Sequence, residues 1–157
     1  EYNSPMGDYD NPNICDEPNL IAVGKALQGV SIDCRSFETV LDHAEPGDFV
    51  YLDPPYDAVS DTADFTTYSK DGFTAEQQEE VAEVGGELSR RGCKVLISNA
   101  NTDFVKGLYI AQGFEIDIVQ AKRSINSDGD NRGPVDEVLA RNFPLPGRRE
   151  LDPFGFG

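Results

Sequence analysis

The sequence predicts an α/β fold, on three observations. Apolar stretches of strand length stand at Phe49–Leu52 and Cys93–Ser98, and Phe114, Ile116 and Ile118 alternate over a third. Helical periodicities separate them, with Gln77, Val81, Val84 and Leu88 sharing one face and Phe104, Val105 and Leu108 another. Strands that alternate with helices read as an open α/β sheet. The third observation is how the first of these strands stops, in Asp53-Pro54-Pro55-Tyr56. Neither proline donates to a strand ladder, so the chain leaves the sheet there.

In an open α/β sheet ligands bind beyond the carboxyl ends of the strands, which puts Asp53 and Tyr56 where a substrate can be held. A carboxylate and an unpartnered carbonyl, that of Pro54, accept N–H hydrogen bonds, and a phenol ring stacks on a π-face. The three together suit a flat base that carries an amine. Read by itself, Asp-Pro is also ordinary turn punctuation.

Taken in order, residues 1–13 are rich in turn formers and read as a loop. Asp16 caps a helix with Pro18 in its first turn and Leu20, Val23 and Leu27 at helical spacing, ended by Gln28-Gly29. Val30–Cys34 alternates like a strand, and Ser36 caps a helix through Ala44 that buries Phe37, Val40 and Leu41. Pro46-Gly47-Asp48 turns into the central strand. Residues 57–72 lack periodicity, and a loop that long suits a cover over a bound base. Thr74 opens the next helix, whose Gly85-Gly86 pair costs roughly 1 kcal/mol per residue unless it allows close packing on the sheet. The strand at 93–98 places Asn99 at its carboxyl end, beside Asp53. A helix over 103–112 closes at Gly113, and Phe114, Ile116 and Ile118 alternate in the next strand. Lys122 and Arg123 open a polar, Gly-containing loop before Val135–Leu139 pairs back as a final strand, and residues 144–157 read as a disordered tail.

At 157 residues the chain is one domain's worth, 38% hydrophobic, without any apolar run near the roughly 20 residues of a membrane span. Cys15, Cys34 and Cys93 lack paired spacing, which argues against disulfides or a zinc cluster and for a reducing, intracellular setting. His43 has no second histidine to share a metal with, and no metal is assigned. The sequence starts at Glu1 without Met or leader and reads as beginning within a longer protein. Against 13 basic residues stand 29 acidic ones, a net charge of −16 that repels polyanions at low salt. In molar salt the Debye length falls to about 3 Å, so such a chain suits a salt-rich cytoplasm. Activity that peaks at low salt and vanishes in molar KCl would remove that hypothesis.

Asp53-Pro54-Pro55-Tyr56, with Thr62–Tyr68, Phe73–Gln78, Val95–Asn99, Arg123–Ser127 and Val135–Glu137, resembles the DNA adenine-N6 methyltransferase family over about residues 1–143. Asp in the first position of the tetrad points, within such families, to the adenine amine. The resemblance implies a Rossmann-like methyltransferase sheet, S-adenosyl-L-methionine as cofactor and double-stranded DNA as partner, with the target adenine flipped out of the duplex. It gives Asp53, Pro54, Pro55 and Tyr56 the catalytic role, and Asp53, Ser36 and Phe37 the cofactor. It gives Asn3, Pro5, Tyr9, Tyr68, Lys122 and Arg123 contact with DNA. Basic residues usual after the Gly and Tyr of the first segment are replaced here by Asp8 and Asp10. Residues 1–15 correspond to the end of a target-recognition region and 16–143 to the carboxyl-terminal part of the catalytic domain. No Phe-x-Gly-x-Gly turn precedes the tetrad. The expected sheet is therefore incomplete, lacking its amino-terminal cofactor-binding strands, which the missing half of the same enzyme or a complementing chain would supply. An RNA methyltransferase with a similar turn, or an inert binding remnant, are the alternatives.

Overall fold

The computed structural model describes residues 15–57, 73–122 and 134–145. Two compact units divide the chain, residues 1–35 and 36–157.

In the first unit, helix α1 (Glu17–Ala26) starts where expected, the Asp16 side chain accepting from the Asn19 amide, and has no buried residue. Val30–Cys34 is not a strand. Alternation makes a strand only when a partner completes the ladder, and nothing among the described residues pairs with this segment.

The second unit is built on four strands, β1 (Phe49–Leu52), β2 (Lys94–Ala100), β3 (Glu115–Lys122) and β4 (Pro134–Arg141), in the order β1-β2-β4-β3. β1 runs parallel to β2, with Leu52 beside Ile97, and β4 inserts antiparallel between β2 and β3. The sheet is thus mixed, within the α/β class expected. Residues 37–42 form a 3-10 helix rather than the longer helix that Ser36 and Ala44 bracket.

Helix α2 (Ala75–Arg90) crosses from β1 to β2, and α3 (Asp103–Ala111) from β2 to β3. Thr74 and Gln77 close a reciprocal capping box at the start of α2. Gln77 is therefore spent on the cap, and Gln78 takes the buried position instead, 2% exposed. Val81, Val84 and Leu88 pack with Val95, Ile97, Val138 and Ala140 in one apolar layer. On α3 the buried positions are Val105 and Tyr109, whereas Phe104 remains 39% exposed.

The two glycines of α2 serve different neighbours. A Cβ on Gly85 would lie 2.8 Å from the Ile97 side chain, and one on Gly86 would lie 2.2 Å from the Gln112 amide. Only the first allows the close packing on the sheet that the sequence suggests; the second admits the end of α3. At the far end of β4, the buried Arg141 guanidinium joins Asp117 and Glu115 of β3, at 2.7 Å each.

Candidate functional site

Side chains along β2 alternate between the two faces of the sheet. Ser98 and Asn99, adjacent at its carboxyl end, therefore reach opposite sides of the same loop, residues 53–57.

On the face away from α2 and α3, the Ser98 hydroxyl donates to Asp53 Oδ1 at 2.5 Å and accepts from the Tyr51 hydroxyl at 2.9 Å. Serine has one proton to give, so the order runs from Tyr51 through Ser98 to the carboxylate, each bond polarising the next. Ser98 is 2% exposed, whereas Asp53 stands at the surface. Asp53 Oδ2 and the Pro54 carbonyl make no hydrogen bond among the described residues.

Tyr56 is half-buried, its hydroxyl reaching Glu137 Oε2 at 3.4 Å, a long and weak bond. Burial pushes its phenol up to about 12, the nearby Ser98 hydroxyl opposing and the Glu137 and Asp53 carboxylates adding. The ring is therefore neutral at physiological pH.

On the helix face, Asn99 and Gln78 form a buried amide pair. Asn99 Nδ2 donates to Gln78 Oε1 at 2.9 Å and to the Tyr109 hydroxyl at 3.0 Å. Asn99 Oδ1 accepts the Asp57 amide at 2.9 Å, and Gln78 Nε2 donates to the Pro55 carbonyl at 2.9 Å. Thr102, the N-cap of α3, donates to the Asp57 carboxylate at 2.7 Å. One residue beyond β2, Asn101 Oδ1 is buried without a partner among the described residues, which costs about 1–3 kcal/mol unless another group meets it.

A cleft of about 330 Å³ opens beside the carboxylate, lined by Asp53, Pro54, Pro55, Phe37, Phe73 and Val81. The Phe37 and Phe73 rings lie 6.4 Å apart and tilted at 59°. Ser36 does not line it; its hydroxyl donates to Glu38. Of the residues expected to act, the structure thus brings Asp53, Pro54, Pro55 and Phe37 to one cleft, with Tyr56 on the same loop. Asn3, Pro5, Tyr9, Tyr68 and Arg123 lie outside the described residues, as does the side chain of Lys122. Among the described residues no group of three or more His, Cys, Asp or Glu is arranged to hold a metal ion, and no helix is long and apolar enough to cross a membrane.

Sequence reasoning missed Ser98, Tyr51 and Gln78, and set Asn99 beside Asp53, where Ser98 stands instead. The strand's two-residue period was the available signal: Val95, Ile97 and Asn99 share the core face, which leaves Ser98 for the other.

Residues 1–125 match the family model described as D12 class N6 adenine-specific DNA methyltransferase. The type II methyltransferase M.MjaIII of Methanocaldococcus jannaschii is 43% identical over 145 residues, 91% of this chain and 50% of that protein. The type II methyltransferase M1.LlaDCHI of Lactococcus lactis subsp. cremoris is 33% identical over 91% of this chain and 50% of its own length. A DNA adenine methylase of Escherichia coli K12 is 38% identical over 92% of this chain and 51% of its own. The chain spans about half the length of these relatives.

Proposed function

The chain belongs to the D12 class N6 adenine-specific DNA methyltransferases, and from that premise we propose that it is the carboxyl-terminal catalytic part of an enzyme that methylates adenine N6 in double-stranded DNA. The observation that carries this reading is the exposed Asp53 carboxylate at the end of β1, one oxygen held by Ser98, while its other oxygen and the adjacent Pro54 carbonyl have no hydrogen-bond donor among the described residues.

The amine of adenine is a poor nucleophile because its lone pair is delocalised into the ring. Two acceptors, Asp53 Oδ2 and the Pro54 carbonyl, can each take one N–H, which favours a more tetrahedral nitrogen and stabilises the positive charge that develops on it. Tyr56, neutral and broad, stacks on the extruded base and offsets the stacking it loses on leaving the duplex. The Ser98 hydroxyl keeps the carboxylate from turning its free oxygen away.

S-adenosyl-L-methionine, when bound, supplies the methyl group as an electrophile on sulfonium sulfur. The cleft beside Asp53 fits its adenosine end: the volume lies at the lower limit of small-ligand pockets, and the walls are rings and prolines with one carboxylate at the edge. Phe37 and Asp53 are the residues of this chain that would hold it. Ser36, turned to Glu38, is the weaker candidate of the three.

The active unit has more sheet than this chain provides. β1 is an edge strand paired parallel on one side only, and its outward Phe49 and Tyr51 are 59% and 51% exposed. Parallel strands are normally covered on both faces, and an open apolar edge invites another strand. The relatives, twice as long, support an amino-terminal half, of the same protein or a second chain, that completes the sheet and brings the glycine turn for the cofactor. In that arrangement residues 1–15 end the target-recognition region, and Asn3, Pro5, Tyr9, Tyr68, Lys122 and Arg123 are the candidate DNA contacts.

The test is methyl incorporation from labelled S-adenosylmethionine by the chain alone and by the chain co-expressed with such an amino-terminal half. Label is expected as N6-methyladenine in duplex DNA with the half present, and none without it. Label in structured RNA alone, or none from any nucleic acid when a relative's own two halves recombine to activity, would overturn the reading.

A further inference from the structure

Two neutral amides sit where apolar packing would be expected. Asn99 is 0% and Gln78 2% exposed, within the layer formed by α2, α3 and the sheet. Burying such groups is tolerated because they are bonded: Asn99 Oδ1 also takes the Ala100 amide at 2.8 Å, so each of its polar atoms has two partners. Stability alone does not ask for them, since replacing both members of a buried polar pair by apolar groups of the same shape is close to neutral. What the pair does uniquely is reach the loop. Gln78 holds the Pro55 carbonyl and Asn99 holds the Asp57 amide, the backbone groups on either side of Tyr56. Thr102 adds the Asp57 side chain to the same anchor.

We propose that Gln78 and Asn99 are positioning residues for methyl transfer: they clamp the loop on both sides of Tyr56, so that its ring, the Pro54 carbonyl and Asp53 stay in the form that receives the base. This rests on the methyltransferase reading above and extends it to two residues that touch no substrate. Gln78 takes the Pro55 carbonyl out of reach of an amine proton, and the adjacent Pro54 carbonyl stays beside Asp53. With the Asp57 amide tied to Asn99, the loop cannot swing as one piece about the end of β1. An error of about 1 Å in such a site can cost on the order of a hundredfold in rate.

The experiment compares Asn99→Leu and Gln78→Met with wild type in the active unit, following kcat, the KM for cofactor, the thermal midpoint and hydrogen exchange at the Asp57 amide. Val84→Ala, a core truncation away from the loop, is the control for destabilisation. Both variants are expected to lose about tenfold to a hundredfold in kcat, with a smaller rise in the cofactor KM because Phe37 and Phe73 still line the cleft, Asn99→Leu also losing protection at Asp57. Val84→Ala should lower the midpoint and leave kcat alone. If Asn99→Leu fails to fold, Gln78→Met carries the test, because it leaves the bonds from Asn99 to Asp57, Ala100 and Tyr109 in place. Wild-type kcat in Gln78→Met, or a loss matched by Val84→Ala at equal destabilisation, overturns the clamp while the methyltransferase reading stands. A wild-type unit that methylates no adenine overturns both.

Discussion

Asp53→Ala is expected to abolish methyl transfer in the active unit, by at least about a thousandfold in kcat, with little change in stability. The two halves of that expectation have separate causes. Asp53 is exposed and its side-chain bond among the described residues, to Ser98, is not part of the apolar layer, so its loss leaves the core intact. On the proposed mechanism, however, the reaction loses the acceptor that localises the amine lone pair and faces the charge it develops. Removing one preorganised group of that kind costs about 10²–10³ in rate even when it is neutral, and a carboxylate facing a developing cation lies at or beyond the upper end. Asp53→Asn should be nearly as severe, for a reason specific to this site. Ser98 donates to Oδ1, so the substituted amide settles with its oxygen toward Ser98 and its NH₂ toward the substrate, where a donor meets a donor. The measurement is N6-methyladenine formed per turnover at saturating cofactor. Normal methylation by folded Asp53→Ala protein would remove Asp53 from the mechanism.

Much of the fold was legible because it is written in short-range patterns. The end of β1 at Asp53-Pro54-Pro55-Tyr56 follows from prolines that cannot extend a ladder, and the start of α2 from a Thr74 cap whose geometry is local. Where the expectation failed, the deciding partner was distant in sequence. Val30–Cys34 alternates well enough, yet no neighbour completes it. The Gln77 miss is the exception, since Thr74 stands only three residues before it: that capping-box spacing assigns Gln77 to the cap and leaves Gln78 for the core. Phe104 outranks Tyr109 in hydrophobicity, but the tyrosine is the one buried, because its hydroxyl has Asn99 to bond with.

The candidate site divides along the same line. Its reacting end is a contiguous tetrapeptide, which a reader of the sequence can find. Its supports come from residues 23 to 47 positions away, Gln78 on the Pro55 carbonyl and Ser98 on Tyr51 and Asp53. Those depend on β1 and β2 lying parallel in the one register that sets Leu52 beside Ile97. A shift by one residue would exchange Ser98 for Asn99 and put an amide against the carboxylate. The two-residue alternation of β2 sets the face that Ser98 takes, and the apolar match of Val50 with Val95 and Leu52 with Ile97 fixes the pairing, but neither names Asp53 or Tyr51 as the partner.

Tyr56 gives the second large effect, and the contrast between two substitutions carries the argument. Tyr56→Ala removes the ring on which the proposed mechanism stacks an extruded base, worth about 1–3 kcal/mol per base on comparable aromatic platforms, and so about tenfold to a hundredfold in productive base capture. Tyr56→Phe keeps the ring and gives up only the hydroxyl. That hydroxyl has little to lose: its bond to Glu137 is 3.4 Å long, and burial keeps the phenol neutral, with its pKa pushed up to about 12. Tyr56→Phe should therefore stay within about threefold of wild type, the worth of one hydrogen bond weakened by its length. A fluorescent adenine analogue at the target position would report base flipping directly, alongside kcat and DNA affinity, and should lose its signal in Tyr56→Ala alone. Equal losses in the two variants would mean that the hydroxyl, through Glu137 or Ser98, does the work assigned here to the ring.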